Sequence, residues 1–164
     1  AGLVFVLGSG TIDETRQVRF QLTGQVEDQD GQPVKGCRVL LFLSKPVEED
    51  IRETLILGND LEAHRAQTQD GGQWPPPIGY SVSDDEGRFL LRLSTNYGMR
   101  GPVFFGCSSL PSGHPFTSAW LVYVAPSHPI LVHEVNASKW AFAGGDWSRE
   151  PEALPLATLP QAGD

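Results

Sequence analysis

The sequence predicts an all-β sandwich of roughly seven strands, with one short helix or long-loop insertion. Three observations carry that expectation. Residues 16–28 alternate apolar and polar side chains, the period of a half-buried strand. Further short apolar runs follow, divided by turn residues, with no helices alternating between them as a parallel sheet would require. Gly 18 and Pro 13 are spread between those runs and supply the reversals an all-β chain needs.

In the first of these strands Val18, Phe20, Leu22 and Val26 share one face, and Arg19, Gln21, Thr23, Gln25 and Glu27 the other. Asp28-Gln29-Asp30-Gly31-Gln32-Pro33 then reverses the chain, because Asp and Gly supply turn geometry and Pro cannot continue a central ladder. Residues 37–43 are apolar on both faces apart from Arg38, which predicts a central strand covered on both sides. Val47, Ile51 and Leu55 have helical spacing, and Glu48, Glu49 and Asp50 fall where the helix dipole favours acids, so 46–57 is predicted helical. Residues 58–78 show no period and contain Gly71-Gly72-Gln73-Trp74-Pro75-Pro76-Pro77, which predicts a long loop with an extended proline stretch.

Residues 80–83 and 89–94 read as a hairpin around Asp84-Asp85-Glu86-Gly87, with Phe89, Leu91 and Leu93 on one face. Residues 102–107, 118–124 and 130–135 are three further strands. Residues 150–164 are rich in Pro and Ala with no second apolar face, and read as a tail lying along the surface or disordered. The expected organisation is one sandwich domain over 1–149, interrupted by an insertion at 45–79, with a C-terminal tail over 150–164.

A chain of 164 residues, 40% hydrophobic and 20% charged, can bury a core without staples. Its net charge of −8 argues against nucleic acid and against an anionic membrane surface, both of which call for basic partners. No segment has the ~20 apolar residues of a membrane-spanning helix; residues 3–7 form a short apolar run that reads as a strand or the remainder of a processed signal. Cys37 and Cys107 both sit in strand-like runs, where a disulfide and two buried thiols are both open. With no other cysteine, a zinc ribbon is excluded.

Two pieces of the sequence match a known pattern. The first is Gly24-Gln25-Val26-Glu27-Asp28-Gln29-Asp30-Gly31-Gln32-Pro33-Val34-Lys35-Gly36-Cys37-Arg38-Val39, and the second is Ser83-Asp84-Asp85-Glu86-Gly87-Arg88-Phe89. Together they resemble the carboxypeptidase-regulatory-like domains of the transthyretin-like (prealbumin-like) Greek-key sandwiches. Gly31 would allow the tight turn, and Gly36 a close backbone approach into the central strand. Asp84 would bond back to the turn backbone, and Gly87 would take a positive φ. Cys37 stands where the family usually has a small residue, and 45–79 is longer than its usual connection. The resemblance implies an accessory, non-catalytic structural or protein-interaction module of secreted, periplasmic or cell-surface proteins, without a cofactor. Fold alone does not fix that role.

Candidate chemistry is sparse. The resemblance extends to intradiol ring-cleaving dioxygenases, whose non-haem iron is held by two Tyr and two His. Tyr80, Tyr97 and Tyr123 and His64, His114, His128 and His133 are present, but no closely spaced His pair is. Ser108, Ser109 and Ser112 near His114 lack a nucleophile-elbow pattern. Asp28, Asp30, Asp84, Asp85 and Glu86 read as turn caps rather than as a calcium loop. Among the tryptophans, Trp120 reads as core. Trp74, beside Pro75 and Pro76, and Trp147, near Gly144-Gly145-Asp146, read as exposed anchors for a protein partner or a carbohydrate.

Overall fold

In a computed structural model of the chain, the described residues are 10–60, 79–104, 107–108, 118–137, 143–144 and 151–162. They form two β-sheets and one helix. The first sheet is built on β1 (Gly10–Glu27) and β4 (Arg88–Phe104), antiparallel from Gly10↔Val103 to Gln25↔Arg88. On its far side β4 pairs β5 (Cys107–Ser108). The other edge of β1 takes three short strands: β8 (Ala143–Gly144), β9 (Glu152–Ala153) and β10 (Ala157–Thr158). The second sheet runs in the order β3 (Gly79–Val82), β2 (Arg38–Phe42), β6 (Ser118–Val124), β7 (Leu131–Asn136).

The sheets share one inner core, the mark of a sandwich. Leu22 and Val26 of β1 and Phe89 and Leu91 of β4 meet Val39 and Leu41 of β2 and Leu121 and Tyr123 of β6. Leu40, Phe42 and Val122, on the opposite face of the second sheet, pack with Ile51 of α1 (Glu48–Leu57) as an outer core. All four residues from Val39 to Phe42 are therefore fully buried, two in each core. That is the doubly covered central strand the apolar run predicts.

The helix falls where the spacing of Val47, Ile51 and Leu55 places it. Val47 has no polar side chain to cap it, but its N–H donates to Asp50 Oδ2 at 3.0 Å, the return half of a capping box. Ile51 is buried, and Leu55 packs beside it against the outer core. The Arg38 guanidinium donates to the Leu55 carbonyl at 3.4 Å, tying the end of the helix to the strand beneath it.

Three expectations change. The turn at Asp84–Gly87 does not join a hairpin pair: β3 pairs β2 and β4 pairs β1, so the turn carries the chain from one sheet to the other. The strands expected at 89–94 and 102–107 are largely one, because β4 runs unbroken from Arg88 to Phe104. The Pro-rich tail belongs to the core: Ala157 and Leu159 are buried in the inner cluster. Prolines at 151, 155 and 160 limit its pairing to two-residue pieces, which leaves no period to read in the sequence.

Candidate functional site: two turn motifs closed on each other

The five turn residues singled out in the sequence lie in one knot where β1 leaves the first sheet and β4 enters it. Asp28 closes the first turn. Its N–H donates to the Gln32 carbonyl at 2.8 Å, and its Oδ1 accepts from Asp30 and Gln32 N–H, each at 2.9 Å. Pro33 then faces Glu27 as an isolated antiparallel bridge. Asp84 repeats the device: its Oδ1 accepts from Glu86 and Arg88 N–H, each at 2.9 Å. The Arg88 N–H, before the other influences, holds the Asp84 carboxyl below the ordinary carboxylate range.

The two motifs are joined by backbone and by one serine. Val26 N–H donates to the Gly87 carbonyl at 2.8 Å, and Val34 N–H to the Val26 carbonyl at 3.1 Å. Ser83, 4% exposed, donates from Oγ to the Val34 carbonyl at 2.6 Å and accepts from Cys37 N–H at 2.9 Å. Its own N–H donates to Cys37 O, and its carbonyl accepts from Gly36 N–H. The sequence pattern does not mark Ser83 as a site residue, although it opens the second motif. Its signal is a small hydroxyl at a strand end beside an Asp turn, a pattern common in loops.

The glycine roles are partly exchanged relative to expectation. Gly36 has φ +74 but nothing within 4 Å of a Cβ, so it serves conformation and not close approach. Gly87 serves both: φ is +71, and a Cβ would lie 2.3 Å from the Val26 carbonyl oxygen. Around the knot, Lys35 pairs with Asp85 at 2.5 Å and Arg88 pairs with Glu86. These pairs are exposed, so they orient side chains more than they stabilise the fold.

Cys37 is a free, buried thiol, its pKa pushed up to about 11 by burial. Cys107, its suggested partner, lies on β5 with its side chain outside the described residues. The tyrosines expected of an iron site separate. Tyr123 is buried in the inner core, its ring edge-on to Phe89 at 6.1 Å, while Tyr80 packs against the outer core across the sheet. His133 is exposed on β7, and His128 Nδ1 lies 3.2 Å from the Pro160 carbonyl. Among the described residues no group of three or more His, Cys, Asp or Glu is placed to hold a metal ion. No helix among them is long and apolar enough to cross a membrane.

Trp120 is half-buried against the outer core. Trp74, Pro75, Pro76 and Trp147, the suggested partner or carbohydrate contacts, lie outside the described residues, as do His64, His114, Ser109 and Ser112. The side chain of Tyr97 on β4 does too. Compared with known proteins, the chain matches no family model and no curated protein.

Proposed function

We propose that the chain is a non-catalytic structural or protein-interaction module, built on a transthyretin-like Greek-key sandwich and working in an extracytoplasmic setting within a larger assembly. The observation that carries this reading is the closure of the two turn motifs on each other. Asp28, Ser83 and Asp84 direct their side-chain oxygens to backbone groups of the turns themselves. The polar chemistry of the motifs thus holds two sheets in place, as an accessory domain requires. The extracytoplasmic setting rests on the family resemblance of those motifs.

The partner contact is assigned to residues 61–78, which carry Trp74, Pro75 and Pro76. The helix belongs to the fold, because Ile51 fills the outer core. The decisive deletion therefore spans 61–78 and spares 45–60. Light-scattering mass and cross-linking mass spectrometry on the whole chain and on this deletion test the reading. A specific protein contact that the deletion abolishes supports it. A strict monomer that cross-links to nothing, or contacts indifferent to the deletion, defeats it.

A further inference from the structure

Beyond that reading, we propose that the outer edge of β1 is a strand-docking groove, filled within the chain by its C-terminal segment and open to the same segment of a second copy. The groove is defined by register. β1 is held by β4 on one edge, while the other receives β9 at Leu22 and Thr23 and β10 at Val26 and Glu27, both parallel. The docked segment is a short extended peptide. Leu154 N–H donates to the Thr23 carbonyl at 2.8 Å and Leu159 N–H to the Glu27 carbonyl at 2.9 Å.

Affinity and selectivity divide as they do when a peptide adds a strand to a sheet edge: main-chain bonds hold it, and alternate side chains fill pockets. Ala157 is 3% exposed and Leu159 fully buried, two residues apart, so both enter the inner core from the same side. Leu154 packs against that core, while Glu152, Ala153 and Leu156 remain exposed. The occupant the groove selects is an extended chain with a leucine, then a small residue three positions on, then a second leucine two further on. Residues 154, 157 and 159 have that pattern. Pro155 and Pro160 keep the segment from coiling, which lowers the entropy lost when it docks.

A second copy offers the identical segment, and exchanging it preserves every one of these contacts. The covalent link favours the chain's own segment through effective concentration, so exchange is expected when that segment is weakened or the protein is concentrated.

The test uses the full chain and a fluorescent peptide of residues 151–162. In the Leu159→Asp chain the tethered segment is weakened while the groove is unchanged. The wild-type peptide should bind that chain at least ~10-fold more tightly than the wild-type chain, because its tethered competitor is impaired. A peptide carrying Leu159→Asp should bind neither. Equal binding to both chains, or none to a Leu159→Asp chain that circular dichroism shows to be folded, overturns the proposal. Hydrogen exchange on the wild-type chain decides the matter should the variant unfold. The amides of Leu154 and Leu159 should exchange ahead of those of Leu40 and Val122. Exchange in step with those core amides would mean the segment never leaves its groove separately, and would overturn the proposal.

Discussion

The ring of Phe89 occupies the space that a side chain at Gly24 would need. The two residues are partners across β1 and β4, and a Cβ on Gly24 would sit 2.5 Å from Phe89 Cζ. They are also the first residue of one turn motif and the last of the other. The motifs therefore meet at both ends: at one through this contact and the bond from Val26 N–H to the Gly87 carbonyl, at the other through the bonds of Ser83 with Val34, Gly36 and Cys37.

Gly24→Ala should therefore overpack the inner core. The Phe89 ring is held edge-on by Tyr123 and cannot swing away freely. A loss of about 1–3 kcal/mol in chemical denaturation is expected. Adding Phe89→Leu should cost less on the Gly24→Ala background than on the wild type, a coupling a double-mutant cycle would measure. Strictly additive losses would show that the two positions do not share this space.

Gly87→Ala and Gly31→Ala separate steric collision from backbone conformation. Both glycines have positive φ, but nothing lies within 4 Å of a Cβ on Gly31, whereas one on Gly87 would meet the Val26 carbonyl at 2.3 Å. Gly31→Ala should lose only the left-handed backbone cost, about 1–2 kcal/mol. Gly87→Ala should lose clearly more and broaden the amide resonances of Val26 and Val34. Equal melting temperatures for the two variants would contradict the close approach.

Asp84 should contribute to acid sensitivity. Its folded pKa is depressed below that of an ordinary aspartate, chiefly by the Arg88 N–H, so its stabilising effect is present above the ordinary value. The effect is lost as pH falls through the lower folded value. Asp84→Asn keeps an oxygen acceptor for the turn but removes the titration. Its melting temperature should fall less steeply than that of the wild type below about pH 4. Parallel acid limbs for the two proteins would rule the linkage out.

Cys37 should be inert in the folded chain. Its thiol is buried and its pKa is pushed up to about 11, so almost no thiolate is present near neutral pH. Alkylation at pH 8 followed by peptide mapping should leave Cys37 unmodified until denaturant is added. Rapid native labelling would show that the inner core is open at the base of β2.

Much of this architecture is legible in the residues because its elements bury whole faces. Leu22 and Val26 are marked by alternation, Val39 to Phe42 by an unbroken apolar run, and Ile51 by helical spacing. The motif residues were legible because Asp and Gly leave few choices at a turn. What alternation does not carry is which strand lies beside which. The Asp84 turn has the residues of a hairpin, but it changes sheets because the ladder of β4 with β1 takes the chain away from β3. The C-terminal anchors were silent for another reason. Ala157 and Leu159 are too few and too interrupted by proline to form a period, and they count only against a groove already built.

The double burial of β2 has a consequence for how the chain finds its pairing. In most strands a slip of one residue is punished because apolar side chains turn to water. In β2 a slip would only trade Val39 and Leu41 for Leu40 and Phe42, one greasy set for another. Hydrophobicity is blind to the phase of this strand. Ser83 reads it instead, gripping Cys37 N–H on one side and the Val34 carbonyl on the other. A hydroxyl outside the strand thus acts as its indexing pin, and a chain that collapses before that pin seats must unpair to correct itself.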